Sequence, residues 1–147
     1  MIYRPLNIND FPGILGLIEL CCQEISAPYD PRSIVKTYLS GSRENALQIC
    51  VLDGDTYVGL LCASLNPHYT DDRVKYLVEY SWHTSPVLPS LTRAKIMLQL
   101  LHILEDFAKV NGVELMLSVS PGSTLNKYLK KHKFVPKEIV YTKDLRS

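Results

Sequence analysis

Apolar residues recur along this chain with two periods, about 3.6 residues in some stretches and 2 in others. Ile2 to Leu6 reads as a short strand. Phe11, Ile14, Leu15, Ile18, Cys21, Cys22 and Ile25 then fall at helical spacing. Asn9 is the expected N-cap of that helix, and Pro12 sits in the first turn, where a missing N–H removes no bond. Asp30 and Pro31 open a second helix as cap and first residue, carrying Ile34, Val35, Tyr38 and Leu39. Ala46 to Leu52 and Tyr57 to Leu65 are apolar strands joined by the tight-turn pair Asp53-Gly54. Asn66 to Arg73 reads as a polar loop, and Val74 to about His83 as a third long strand.

After the proline-punctuated segment Thr84 to Ser90, a long helix starts near Leu91. Its apolar face is Met97, Leu100, Leu101, Leu104, Phe107 and Ala108, widened by Ile96 and Ile103. Gly112 suits a left-handed C-terminal cap. Val113 to Val119 reads as a strand, Ser123 caps a short helix to His132, and Phe134 to Leu145 is a closing strand. The order β-α-α-β-β-β-α-β-α-β predicts an α/β fold with a central mixed, mostly antiparallel sheet flanked by helices. Only the connection through the long helix needs to be a parallel crossover.

Composition narrows the class of protein. At 147 residues the chain is expected to form one domain, 1–147, with a core that needs no disulfide or metal. A net charge of +1 gives no general attraction to nucleic acid or to an anionic membrane, so a basic site must be local. Cys21, Cys22, Cys50 and Cys62 lie inside apolar runs and form no C-x-x-C pair, as expected of buried reduced thiols. The first residues lack a signal peptide's apolar region, and no apolar run has the length of a membrane span. The expected location is the cytoplasm. His68, His83, His102 and His132 lack metal-ligand spacing. The basic cluster Lys127 to Lys133 could meet phosphate, but reads first as a solvated helix face.

Two places carry candidate chemistry. A strand, the basic stretch around Arg93 and Lys95, a helix N-terminus and a return strand form a natural cradle for a pyrophosphate. Where such a cradle favours glycine, the chain has Lys95 and Met97. In the third long strand, strict alternation puts Glu79, Ser81 and His83 on one face and Val74, Tyr76, Val78, Tyr80 and Trp82 on the other. Glu79 and His83 are proton acceptors about 13 Å apart by strand rise, so they would act as alternatives or through water. Each feature also has a plain structural reading: a solvated helix start for Arg93 and Lys95, and polar residues near a strand end for Glu79 and His83.

The ordered set of landmarks resembles the GNAT superfamily of acyl-coenzyme A-dependent N-acyltransferases. Tyr3 to Asp10 is similar to its first strand and turn, Asp53 to Gly59 to its hairpin, Leu98 to Gly112 to the helix after its coenzyme loop, and Lys133 to Leu145 to its closing strand. The last segment is most similar to small acetyltransferase-like proteins of tailed bacteriophages. The resemblance implies acetyl-CoA or another acyl-CoA as co-substrate, with Val87, Thr92, Arg93, Ala94, Lys95, Ile96 and Met97 beside it. Counted back from Gly112, Thr92 stands for the family's leading Arg/Gln, Lys95 for its first glycine and Met97 for its second; a shifted register would match Thr92-Arg93-Ala94 instead. Arg93 and Lys95 could then replace backbone contacts with charged ones.

In this fold the acyl group lies where the fourth and fifth strands part. The implied general base is Glu79 or His83. The implied acid is Tyr128, one position from the family's site, which falls on Leu129; the alternative for Tyr128 is packing. The implied activity is transfer of an acetyl or short acyl group to an amine of a small molecule or protein, entering over the first two helices and Asn66 to Arg73. Dimerisation is common in this fold. The competing expectation, from the replaced glycines and shifted tyrosine, is a GNAT-like protein, phage-encoded, that binds a host protein without turnover.

Overall fold

A computed structural model describes residues 1–41, 46–119, 124–137 and 141–146. The elements are β1 (Ile2–Pro5), α1 (Phe11–Glu24), α2 (Pro31–Gly41), β2 (Ala46–Asp53), β3 (Thr56–His68), β4 (Asp71–Thr84), α3 (Ser90–Asn111), β5 (Glu114–Met116) and α4 (Thr124–Lys131). They fall into two compact units, Met1–Leu117 with the sheet and three helices, and Ser118–Ser147 with α4. The sheet is open, in the order β1-β2-β3-β4-β5, antiparallel except for the β4–β5 pair. α3 supplies the crossover that parallel pairing requires.

β2 and β3 are almost continuously apolar because both of their faces are covered. Ile49, Val51, Leu61 and Ala63 pack with Leu77 beneath Ile96, Leu100, Leu104 and Ala108 of α3. The alternate residues Cys50, Leu52, Leu60 and Cys62 pack with Ile14, Leu17, Ile18 and Cys21 of α1 and Tyr38 of α2. Each such aliphatic side chain contributes about 1.5–3 kcal/mol by leaving water. Gly59 marks the closest approach: a Cβ there would lie 2.9 Å from Val51 Cγ2 and 3.1 Å from Ile96 Cγ2. α3 ends as expected, with Gly112 at φ 63°.

The joint between β1 and α1 differs from expectation. Asn7 caps the 3-10 turn Ile8–Asp10, its side chain accepting the N–H of Asn9 and forming a capping box with Asp10, while the N-cap position of α1 is Asp10, without a side-chain cap bond. Asp10 is buried and accepts from Arg4 Nη2 at 2.6 Å and Nη1 at 2.8 Å, from the Asn7 N–H at 2.8 Å and from Tyr57 Oη at 2.6 Å. Asn9 lost the role because a 3-10 turn, begun by Asn7, precedes the helix.

Three strand expectations also change. Asn66 to Arg73 is no irregular loop, since β3 continues to His68 and β4 begins at Asp71. Its polarity signalled exposure, and its side chains bond locally: Thr70 N and Oγ1 to His68 Nδ1, and Arg73 to Asp71. The strand expected over Val113 to Val119 spans only Glu114–Met116. The expected closing strand is absent among the described residues of 134–146, where Val135, Tyr141 and Leu145 stay exposed and so gain nothing from alternation. Ser123, the expected cap of α4, and residues 138–140 lie outside the described residues.

Candidate active site

β4 and β5 share only three pairs, ending at Val78 and Met116, while β4 runs on to Thr84. Val78–Met116 is the last of these pairs, and β5 does not accompany β4 beyond it. The two strands therefore part at the point where the fold is expected to admit an acyl group.

A bulge sits just past that point. Cys62 pairs with Ser81 and Ala63 with Glu79, so Tyr80 is the additional residue. Paired residues share a face, which corrects the alternation read from the sequence. Glu79 lies with Ala63 on the α3 face, whereas Ser81 and His83 lie with Cys62 and Leu60 on the α1/α2 face. Glu79 and His83 are thus on opposite sides of the sheet and cannot act in one place. Trp82 lies with Leu61 on the α3 face, while Tyr80 joins the α1/α2 cluster.

Burial holds the His83 imidazole below its ordinary pKa, because the charged form is poorly solvated there. Around the bulge, Tyr38 Oη and Ser81 Oγ are 2.7 Å apart and both residues are buried. Gln48 Nε2 donates to Tyr80 Oη at 2.8 Å and to the Tyr38 carbonyl at 3.1 Å. Burial pushes the Tyr80 phenol up to about 12. Tyr38, Gln48 and Tyr80 were not singled out as site residues, because no period in the sequence reveals a bulge.

The predicted coenzyme stretch is helical, not a loop. α3 starts at Ser90 behind Pro89, with no side-chain cap and no acid in its first turn. Its first intrahelical bond runs from the Arg93 N–H to the Pro89 carbonyl at 3.0 Å, so the N–H groups of Ser90, Leu91 and Thr92 precede the ladder. Val87 and Leu91, both largely exposed, flank this start. Thr92 and Met97 are half-buried, Ala94 and Lys95 exposed. Ile96 is buried in the core against β3.

Arg93 is committed elsewhere. Its Nη1 and Nη2 donate to the two carboxylate oxygens of Glu24 at 2.8 and 3.0 Å. Nε reaches Thr84 Oγ1 at 3.2 Å and Nη2 the Thr84 carbonyl at 3.3 Å. The guanidinium thereby ties the start of α3 to the end of α1 and the end of β4. In the second unit, Tyr128 stacks on His132 with ring centroids 4.0 Å apart. All four cysteines are unpaired thiols; Cys21, Cys50 and Cys62 are buried. Among the described residues no helix is long and apolar enough to cross a membrane.

No family model matches the chain, and no curated protein matches its sequence. Solved structures do resemble it. A transcriptional regulator from Bacillus halodurans aligns at TM-score 0.73 and 18% identity over 98% of this chain and 99% of that one. A predicted acetyltransferase with acetyl-CoA from Clostridium acetobutylicum aligns at TM-score 0.73 and 13% identity, over 98% and 96%. An aminoglycoside 6′-N-acetyltransferase from Acinetobacter haemolyticus aligns at TM-score 0.72 and 15% identity over the whole of both chains. At these identities the likeness is one of fold. The chain has the α/β fold of the GNAT acetyltransferases, with a five-stranded mixed sheet and four α-helices among the described residues.

Proposed function

We propose that this chain is an acyl-CoA-dependent N-acyltransferase that moves an acetyl or short acyl group to an amine of a small molecule or protein. The observation that carries the reading is the parting of β4 from β5 after Val78, on a sheet whose α3 N-terminus is uncapped and free of acid. An uncapped helix start attracts phosphate through its N–H groups and dipole, and exposed Lys95 adds charge. Val87, Thr92, Ala94 and Met97 are the remaining candidates for contact with the coenzyme. Ile96 supports that surface from beneath, and Arg93 holds it in place. That a neighbour of this fold carries acetyl-CoA is consistent with this assignment.

The thioester supplies an activated acyl carbon. The amine nitrogen attacks it, the C–N bond forms, and the C–S bond breaks to release the coenzyme as thiolate. Before attack an ammonium must lose a proton. His83 suits that role better than Glu79, since it lies on the α1/α2 face over which the acceptor is expected to enter and its lowered pKa keeps the imidazole neutral at pH 7. Tyr128 is assigned the proton return to the thiolate. In this reading 1–147 acts as one functional domain.

The competing reading is a GNAT-like, phage-encoded protein that binds a host protein without turnover. The engagement of Arg93 by Glu24 favours it, because a charge expected to replace the missing glycines is already occupied. Thiol release from acetyl-CoA, followed across a panel of amines, tests the choice. Turnover with at least one amine, lowered about 100-fold or more in His83→Ala with acetyl-CoA binding intact, supports the enzyme. Binding without turnover on any amine supports the second reading. Full activity in His83→Ala, with loss in Glu79→Ala, transfers the base to Glu79.

A further inference from the structure

The net charge of +1 hides an uneven partition. Seven of the 16 Lys and Arg but only two of the 15 Asp and Glu fall in residues 118–147, the second compact unit, giving that unit +5 and the first −4. Charge segregated in this way marks a surface for an anionic partner. Within the second unit, α4 sets its side chains in neighbouring ridges of residues four apart. Leu125 and Leu129 form one ridge, with Leu129 buried. Tyr128 and His132 form the next, their rings stacked at 4.0 Å with 25° between the planes. Lys127 and Lys131 form the third, widened by Lys130, and all three lysines are exposed.

Two features go beyond a solvated helix face. Lys127 stands in the first turn of α4, where the helix dipole disfavours a cation, and no acid accompanies it there. Lys133 takes φ 67° at the end of the helix, with the Phe134 N–H bonded to the Leu129 carbonyl at 3.1 Å, in a left-handed position that favours glycine. The side chains of Lys127, Lys130, Lys131 and Lys133 form no ion pair or hydrogen bond among the described residues. Beside these charges the exposed His132 ring, held flat on Tyr128, offers a platform to a planar group. Among the described residues, α4 exposes no large apolar side chain of the kind a helix lying in lipid inserts. We propose that α4 and Lys133 form a binding surface for single-stranded nucleic acid, the lysines meeting successive phosphates and His132 stacking on a base. Only ring faces are used in this contact, so it is separate from the acid role assigned to the Tyr128 hydroxyl.

Fluorescence anisotropy of labelled, mixed-sequence RNA and DNA single strands, titrated with the intact protein, tests the surface. Binding is expected to be about micromolar at low salt, with log K falling against log salt at a slope of about −2 to −3, as for three or four phosphates. The combined variant Lys127→Ala, Lys130→Ala and Lys131→Ala, all at exposed positions, should bind about 100-fold more weakly and lose about 2 from that slope. His132→Ala should weaken binding about tenfold, and His132→Phe, which keeps a flat ring, should restore it. Affinity unchanged in the triple-lysine variant, or no binding at low salt, overturns the proposal. A duplex of the same sequence bound as tightly as the single strand overturns the stacking contact. Displacement of the strand by saturating acetyl-CoA assigns these lysines to the coenzyme instead. Binding to vesicles of anionic phospholipid without binding to either strand assigns them to a membrane.

Discussion

Arg93→Ala separates a scaffold residue from a ligand residue. Arg93 was expected to hold the coenzyme's phosphates, yet four donor–acceptor contacts run from its guanidinium to Glu24 and Thr84. The ion pair is bidentate but only partly shielded, with side-chain exposures of 29% and 39%, which places its coupling at about 1 kcal/mol. The two contacts to buried Thr84 add about 1 kcal/mol each at their lengths. Arg93→Ala should therefore lose about 2–3 kcal/mol and Glu24→Ala about 1 kcal/mol. In a domain of this size that lowers the Tm by about 5–10 °C for the arginine variant. A double-mutant cycle by urea unfolding should return about 1 kcal/mol of coupling, reduced by salt. Acetyl-CoA affinity, compared below the variants' unfolding temperatures, should change less than about threefold, a fraction of one charged bond. Unchanged stability with affinity reduced about tenfold or more would refute the clamp and return Arg93 to the coenzyme.

Asp10→Asn removes the charge from a buried carboxylate that anchors Arg4, Asn7 and Tyr57, and should cost about 3 kcal/mol at neutral pH. The Arg4 guanidinium, with the Tyr57 and Asn7 donors, holds that carboxyl well below the usual range. Its stabilisation is complete above the unfolded value of 3.8 and is lost as pH falls below it. Urea midpoints of wild type and variant should converge in acid; a constant gap contradicts the assignment. Gly59→Ala should lose about 1–3 kcal/mol, because Val51 and Ile96 must both move, and an unaltered Tm would show that α3 does not approach β3 so closely. If neutral His83 is the base, kcat/KM should fall as pH drops through a value below 6.5 and be level above it, while an inflection above 6.5 points to another group.

The layers were readable because β2, β3, α1 and α3 carry long apolar patterns, and because the end of α3 and the β2–β3 turn have local backbone causes. Gly112 and Gly54, at φ 63° and 60°, are such cases. The site was less readable because its geometry depends on one residue of register. Alternation along β4 put Glu79 and His83 together, but the bulge at Tyr80 separates them, and only the pairing with Cys62 and Ala63 reveals it. Arg93 shows a second limit: its partner Glu24 is 69 residues away, on another helix, and nothing local marks the pair. Ile96 was placed both on the core face and beside the coenzyme, and the structure keeps the first placement, under Gly59. The polarity of Asn66 to Arg73 reported solvent exposure correctly and said nothing against strand pairing.

The most direct test of an acyl-CoA site at the parting of β4 and β5 is calorimetric titration of the wild-type chain with acetyl-CoA. The account predicts micromolar or tighter binding, weakened by Lys95→Glu, which sets a negative charge at the α3 N-terminus. An absence of binding at millimolar acetyl-CoA would contradict it.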